Sequence, residues 1–456
     1  MGRRSEGSAG AIGVRGCAVL LACIAAALTL GVVGEAASSP PSFARPTPYQ
    51  FGVWAFEDVA IADLNGDRKL DLAVSNENSS VYVLVNPGDG KFRARRAYRT
   101  GPDPAAIAIG DLNADGKPDL VTANLGSVED GKTVSVLLNS GGGAFALRRD
   151  FATGRLPHSV AIGDLNGDGK PDLVTANAES VSVLLNSGDG NFVARRDWQT
   201  GASTSSVAIG DLNGDGKPDL AITDDEADTV SALLNSGDAG FEARRDFSTD
   251  EQPEAVVIAD LSGDSKPDVV TANATGETVS VLAGTGNGTL RPRRDFRVGA
   301  SPLSVAVFDL NGDRKPDLAT ANSDGSTVSV LANRGDGTFS TRRNYAVGDS
   351  PEKVASGDLN GDRKPDLAVT NGTADTGIFS VLRNTTGLCT VPKLTGKTLL
   401  VATKAIGRAN CRVGRVRRVY SRRVKTGYVI TQAPKSGTVL PRGAKVNLVV
   451  SLGSMH

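Results

Sequence analysis

A short run of oxygen-bearing side chains recurs seven times along the sequence with a fixed spacing. In its clearest copy the oxygens stand at positions 1, 3, 5 and 9, as Asp164, Asn166, Asp168 and Asp172. Side chains two apart in a tight loop can point to one centre. Carboxylate and amide oxygens are the hard ligands that Ca²⁺ binds, about 6–8 at a time. No Cys or His lies in any run, which disfavours zinc and copper.

Each run therefore predicts four metal-ligating side chains, and the carbonyl of position 7 (Lys170 in this copy) would add a ligand. For a single run, a polar Asx-type turn without a metal is the alternative. Seven copies favour the metal, because carboxylates this close repel one another without a cation. We expect up to seven Ca²⁺ ions, bound by Asp63, Asn65, Asp67, Asp71, Asp111, Asn113, Asp115, Asp119, Asp164, Asn166, Asp168, Asp172, Asp211, Asn213, Asp215, Asp219, Asp260, Ser262, Asp264, Asp268, Asp309, Asn311, Asp313, Asp317, Asp358, Asn360, Asp362 and Asp366.

The residues around each run predict strands, not the helices of an EF-hand. An EF-hand loop has Glu at position 12, whereas all seven runs have a β-branched residue there, which favours a strand. Apolar, β-branched segments also flank the run, at 159–163 and 173–177 in the third copy. Each loop is therefore expected to join two β-strands. The position-12 residues are Val74, Thr122, Thr175, Ile222, Thr271, Thr320 and Val369.

The runs follow one another at intervals of 47 to 53 residues, a period typical of propellers and other repeat folds. The third unit contains four strand-like segments, at 159–163, 173–177, 181–186 and 192–198, with a Ser-Gly-Asp-Gly hairpin turn before the last. Seven such units predict an all-β fold, a seven-bladed β-propeller with four-stranded blades. The abundant glycine (54 residues) and the scarce aromatics suit many short strands joined by tight turns.

The ends of the repeat region predict how the ring closes. The seventh unit stops after 379–384 and lacks the fourth strand that the other units have. A matching segment, from Phe43 to Gly52, stands before the first unit and parallels 145–154. We expect this N-terminal strand to complete the last blade, since a closed ring leaves no exposed strand edge.

The acidic runs, in register with Gly-Asp-Gly-x-Phe turns, resemble the FG-GAP/VCBS repeat family over residues 43–387. That family includes the integrin α-subunit propeller and many secreted bacterial proteins. The resemblance implies calcium in the loop between the first two strands of each blade, and ligand binding on the opposite face. On that face the sequence varies most, at 125–133 and at Asp224, Asp225, Glu226 and Asp228. Variable loops on a rigid scaffold often bind ligands, but tolerated insertions are an equally good explanation.

The seven runs are not identical. Position 6 favours a left-handed backbone, which Gly adopts most easily, and it is Gly only in units two, three and four. Unit five has Ser265 there and Ser262, a shorter ligand, in place of the position-3 Asn. We therefore predict that unit five binds a metal most weakly.

The composition changes after Gly387. A Val-Pro-x-Leu opening at 391–394, a Gln-x-Pro-x-x-Gly turn at 432–437 and the strand-like 446–451 resemble a single PASTA domain over about residues 389–453. The resemblance implies a small α+β module of penicillin-binding proteins and receptor kinases, often associated with peptidoglycan. Cys389 and Cys411 form an even pair in an exported module, so we expect a disulfide.

Charge divides the chain sharply. From residue 389 onward there are 14 Lys or Arg and no Asp or Glu, whereas 36–388 has a net charge of −16. Seven Ca²⁺ ions would bring that region to about −2, which agrees with the metal hypothesis. The Arg-rich segment 412–425 is either a solvated face or a surface with affinity for anionic wall polymers. Nucleic acid is not expected as a partner of a secreted chain.

Residues 1–35 predict a secretory signal, because the basic residues Arg3, Arg4 and Arg15 precede an apolar stretch at 17–33. An uncleaved membrane anchor is the alternative, because seventeen mostly apolar residues could just span a bilayer. We therefore expect a secreted or cell-wall-associated protein. The predicted domains are a signal peptide (1–35), the propeller (36–388) and the basic PASTA-like domain (389–456).

Candidate catalytic residues are scarce. The chain has two histidines, His158 at a loop position that is Ala or Leu in other units, and His456 in the tail. A nucleophile–His–acid site would need one of them in a suitable setting. We therefore predict a non-enzymatic, monomeric binding or adhesion protein, with an unidentified protein or glycan ligand on the propeller and a cell-wall polymer on the C-terminal domain. A lectin-like propeller is the alternative, for which only Trp54 offers an exposed ring, and a hydrolase or lyase is less favoured.

Overall fold

A computed structural model of the chain describes residues 40–51, 55–92, 94–126, 131–372, 377–440 and 443–454. The predicted signal region 1–35, Trp54, His456 and part of the variable loop at 125–133 lie outside these residues. No helix in the described ranges is long and apolar enough to cross a membrane.

The first half of the repeat region consists of short strands joined by turns. In chain order they are β1 Thr47–Gln50, β2 Phe56–Ala62, β3 Asp71–Asn76, β4 Ser80–Val85, β5 Ala94–Arg99, β6 Pro104–Gly110, β7 Asp119–Asn124, β8 Thr133–Leu137, β9 Asn139–Gly141, β10 Ala144–Phe145, β11 Arg149–Ala152, β12 Ser159–Gly163, β13 Asp172–Ala176, β14 Ser180–Asn186 and β15 Phe192–Gln199.

The second half repeats the same pattern. Its strands are β16 Thr204–Gly210, β17 Asp219–Asp224, β18 Thr229–Leu233, β19 Asn235–Gly237, β20 Gly240–Phe241, β21 Arg245–Ser248, β22 Pro253–Ala259, β23 Asp268–Asn273, β24 Thr278–Leu282, β25 Arg294–Arg297, β26 Pro302–Phe308, β27 Asp317–Asn322, β28 Thr327–Leu331, β29 Arg343–Ala346, β30 Pro351–Gly357, β31 Asp366–Asn371 and β32 Ile378–Leu382.

Within the described residues these strands form seven four-stranded antiparallel sheets, which we number as blades 1 to 7 in chain order. The second strand of each blade is buried along its whole length, as in β3 and β7. Its Val, Ile, Thr and Leu side chains suit a strand packed on both faces. The predicted all-β class and four-stranded repeat are confirmed.

The second strand of blade 3 begins one residue earlier than the sequence predicts. In blade 3 the strand starts at Asp172 instead of Leu173, because Asp172 pairs with Gly163 in the ladder. In blade 4 the strand also extends to Asp224, which we expected in a variable loop. Asp224 is buried, and its carboxylate accepts the backbone N–H groups of Ala202 and Ala227 at 3.2 and 3.1 Å.

The first strands of successive blades contact one another around a central axis, and β2 of blade 1 contacts β30 of blade 7. The ring is therefore closed. Blade 7 takes its fourth strand from the N-terminus: β1 pairs with β32, with Tyr49 opposite Phe379. Phe379 is fully buried, and its ring lies 5.0 Å from that of Tyr49 and 5.7 Å from that of Phe92.

In every blade except blade 5, a buried asparagine connects the blade to the preceding one. Asn186, at the end of β14, donates from its side chain to the carbonyl of Leu112 in blade 2 (2.8 Å) and to that of Pro171 (2.8 Å). The equivalent Asn86 donates to Leu359 O of blade 7 at 2.7 Å, across the seam where the ring closes. Because unpaired buried amides and carbonyls are costly, these bonds fix the register between blades.

Arginines on the outer strands of several blades connect them to the following blade. Arg149 of blade 2 donates to the Asn191 side chain of blade 3 at 3.1 Å. Arg245 reaches the carbonyls of Asn287 and Gly288 in the same way, at 3.3 and 3.4 Å. These links were not predicted, although the Arg-Arg pair recurs in the outer-strand segment of most units.

The C-terminal module contains β33 Cys389–Thr390, α1 Leu399–Arg408, β34 Arg412–Val419, β35 Val429–Ala433, β36 Val439–Leu440 and β37 Lys445–Ser451. A three-stranded sheet in the order β34-β37-β35 and the helix enclose a small core that includes Ile406 and Leu448. The predicted Cys389–Cys411 disulfide is confirmed. It contributes about 3 kcal/mol in the chain-entropy model. The predicted small α+β module is therefore confirmed too.

Candidate functional sites

The seven acidic loops lie between the first and second strands of the blades, as predicted. In blade 3, Asp164 Oδ1 accepts the N–H groups of Gly167 (2.8 Å) and Asp168 (3.1 Å), and Oδ2 accepts that of Gly169 (2.8 Å). Asn166 Oδ1 accepts the same Asp168 N–H at 2.9 Å. Because one N–H is shared, the oxygens of Asp164 and Asn166 lie side by side. Two predicted ligands are thus brought together.

The position-9 aspartates are placed differently from the other predicted ligands. Asp172 is fully buried; its Oδ2 accepts the N–H of Leu165 (3.1 Å) and its Oδ1 that of Asn186 (2.9 Å). Burial, with Asp168 and Asp164 as further causes, raises the pKa of Asp172 to about 6. This carboxylate therefore joins the loop to the third strand, a structural role that the sequence analysis missed. Its role as a metal ligand stays a prediction.

The donor set of the loops fits a hard cation, but not through acidic groups alone. Nowhere in the described ranges are three or more Asp, Glu, His or Cys side chains arranged to hold a metal ion. An ion in blade 3 would therefore need the amide oxygen of Asn166 and main-chain or water oxygens beside the carboxylates of Asp164 and Asp168. Such oxygens accept more than one bond, so the observed N–H contacts leave room for a cation.

Position 6 of the loops has the left-handed backbone that the sequence analysis predicted. Its φ is 78–81° where the residue is Gly and 65–66° where it is Arg or Ser. The non-glycine cases are Arg68, Ser265, Arg314 and Arg363.

The loop of blade 5 also differs in its hydrogen bonds. Ser262 Oγ contacts Asp260 Oδ1 at 3.4 Å, and Asp268 accepts the N–H of Gly284, where other blades have Asn. Weak binding by blade 5 stays a prediction.

A second group of polar side chains lies near the start of the first strands, at the end of the ring opposite the acidic loops. The side chains of Glu57 (blade 1) and Glu352 (blade 7) hydrogen bond to each other across the seam. Asp58 is half-buried beside them, and its carboxylate accepts the N–H of Ile107 in blade 2 at 2.8 Å. Burial raises the pKa of Asp58, which the positive charge of Lys353 partly offsets.

Burial and the neighbouring Glu57 carboxylate raise the pKa of Glu352 to about 9, so this pair retains a proton at neutral pH. His158 directly precedes β12 of blade 3, and burial lowers its pKa. The Glu57–Glu352 pair was not predicted from the sequence, because the two residues are 295 positions apart. The signal was local: units one, five and seven have Glu at the second position of the first strand, where the others have Ala, His, Ser or Leu.

We expect Glu352→Gln to stabilise the protein at pH 8. A raised native pKa means that the native state keeps a proton which the unfolded chain releases, so this group's contribution is full below pH 4.5 and is lost as pH rises towards 9. Gln keeps a donor but cannot ionise. The gain should be on the order of 1–3 kcal/mol at pH 8 and close to zero at pH 4, measured by denaturant unfolding. The exposed Glu179→Gln is the control, and equal gains at both pH values would contradict the assignment.

Comparisons with known proteins agree with this architecture. The FG-GAP-like repeat family matches residues 63–122, 124–175, 164–222, 211–271, 260–320 and 309–369, six segments that together include the seven acidic loops. The PASTA domain family matches residues 390–452. No curated protein matches the chain.

Solved structures of similar fold include BBS1N in complex with ARL6DN, soaked with lead (TM-score 0.55, 13% identity, 75% of this chain and 97% of that one). The mercury soak of the same complex gives a TM-score of 0.54 at 14% identity, with 76% and 98% covered. An Agrocybe aegerita lectin specific for non-reducing terminal N-acetylglucosamine has a TM-score of 0.49 at 24% identity, with 70% and 86% covered. The β-propeller prediction is confirmed, and the chain belongs to the FG-GAP-like repeat family, with a C-terminal PASTA domain.

Proposed function

We propose that the protein is an exported, non-enzymatic, calcium-binding propeller that recognises a protein or glycan ligand at the bacterial cell surface. Its PASTA domain associates with a cell-wall polymer. The observation that carries the calcium part is the loop geometry, in which Asp164 and Asn166 oxygens lie side by side around one shared N–H. The same sharing recurs with the Asp63–Asn65, Asp111–Asn113, Asp211–Asn213, Asp309–Asn311 and Asp358–Asn360 pairs.

In each loop the side chains of positions 1, 3 and 5 would hold the ion. A bound Ca²⁺ supplies positive charge where several carboxylates lie close together. The ions would stiffen one face of the ring, and ligand recognition would use the loops between the second and third strands on the other face. Those loops differ in length and charge from blade to blade. Such variation suits a single specific ligand more than the same small ligand bound at every blade.

Calorimetric titration of the full chain with Ca²⁺ tests this proposal by counting ions. We expect several ions per chain, up to seven, and two fewer in the double variant Asp164→Asn/Asp211→Asn. Asp189→Asn is the matched control, because Asp189 lies in an exposed hairpin turn outside the acidic loops. It should leave the count unchanged. A wild-type chain that binds no Ca²⁺ would show that the loops are metal-free turns.

A further inference from the structure

The edge strand of the C-terminal module presents a row of arginines. β34 pairs only with β37 among the described strands, so its other edge is free. Val413 and Val416 of β34 pack against the module's core, which holds the strand in place. Four other side chains of this strand are exposed, and the exposed basic residues continue into the following turn. We call this surface the arginine edge: Arg412, Arg415, Arg417, Arg418, Arg422, Arg423 and Lys425.

No carboxylate side chain neutralises the arginine edge from within the module. Residues 389–456 contain no Asp or Glu, so their 14 Lys and Arg have no acidic side-chain partner inside the module. Ion pairs found among the described residues lie in the repeat region, as in Arg195–Asp197 and Arg293–Asp295. A concentrated positive surface of this kind attracts anions over about 8–10 Å in physiological salt. Its natural complement is a polyanion.

The residue type narrows the anion further. Six of the seven basic residues in the arginine edge are Arg and one is Lys. The guanidinium group presents a planar fork of donors that matches phosphate oxygens in pairs, whereas Lys acts as a point charge. Tyr420 stands between Arg418 and Arg422 and is 55% exposed, so its ring can cover the apolar face of a sugar while the arginines bind phosphates.

We infer that the arginine edge binds a linear, phosphate-bearing glycopolymer of the cell wall. Residues two apart on a strand lie about 6.6 Å apart along its axis, so Arg415 and Arg417 can contact successive anionic groups of one extended chain. The inference rests on the proposed wall association and names the polymer chemistry. The competing explanation is that the charges only protect a free strand edge from pairing with other chains.

The test is co-sedimentation of the full chain with purified Gram-positive cell walls, either native or treated with hydrofluoric acid. The acid cleaves phosphodiesters and leaves peptidoglycan. We expect binding to native walls, at least about a tenfold loss on treated walls, and a steep decrease with added salt. The variant Arg415→Gln/Arg417→Gln/Arg418→Gln should lose binding to native walls by a similar factor.

The matched control removes three exposed positive charges elsewhere in the module, as Lys393→Gln/Lys397→Gln/Lys404→Gln. It should change binding less than about twofold, and thermal melts should show that both variants fold. Equal binding to native and treated walls would overturn this inference while leaving a peptidoglycan-bound module intact. Equal losses in the two variants would overturn the assignment to the arginine edge. No binding to either wall would contradict both the inference and the proposed wall association.

Discussion

Chelating Ca²⁺ with EGTA should lower the melting temperature of the repeat region by about 10 °C or more. On the proposed function, each site contributes about 2.7 kcal/mol when free Ca²⁺ is 100 times its Kd, and several sites act on one closed ring. The acidic loops also connect the first and second strands of every blade, so loosening them weakens all blades together. The measurement is differential scanning calorimetry of the full chain in Ca²⁺ and in EGTA.

The C-terminal module is the internal control for this experiment. It has no Asp or Glu, and the Cys389–Cys411 disulfide holds it together, so its transition should not move with Ca²⁺. Asp164→Asn separates the two roles of one loop. Asn keeps an oxygen for some of the N–H bonds of the turn but removes a charge, so the variant should lose more stability in Ca²⁺ than in EGTA. Equal losses under both conditions would mean that the loop is a hydrogen-bonded turn without a metal.

Phe379→Ala should destabilise the repeat region by about 3–5 kcal/mol, the usual cost of deleting a fully buried Phe side chain. Phe379 lies on the strand that accepts β1, and its ring contacts those of Tyr49, Phe51 and Phe92 at 5.0–5.9 Å. The cavity would therefore open where the first and last blades meet. Because β1 adds only four paired residues, the loss of this cluster should also release the N-terminal strand.

Denaturant unfolding gives the free energy, and limited proteolysis reports whether the strand containing Tyr49 becomes accessible. Phe296→Ala is the matched control: its ring is half-buried and lies 5.1 Å from Phe339 at the junction of blades 5 and 6. We expect a smaller loss there, about 1–2 kcal/mol, without cleavage near residue 49. A Phe379 variant as stable as the control, with a protected N-terminus, would contradict a closure held by this cluster.

Much of the fold could be predicted because its signals are local and repeated. The acidic run with a β-branched residue at position 12 predicts strand, loop, strand within about a dozen residues. Because the run occurs seven times, the pattern is recognised even where one copy departs from it, as the run that begins at Asp260 does. The Cys pair was equally readable, since only Cys389 and Cys411 lie outside the predicted signal. Boundaries were less accurate, because Asp172 pairs in the ladder while its side chain satisfies two amides.

By itself the sequence determined the repeat, the four-stranded unit, the basic C-terminal module and the oxygen-rich loops, because turn chemistry and side-chain alternation act between near neighbours. Only the tertiary structure decided which carboxylates of each run are buried and join the loop to the third strand, as Asp172 does, and which stay in the loop, as Asp164 does. It also placed Glu57 beside Glu352 and Asn86 beside Leu359. These partners lie hundreds of residues apart, and ring closure alone brings them together. No local sequence pattern predicts such a pairing, because the partner residue becomes a neighbour only when the ring has folded.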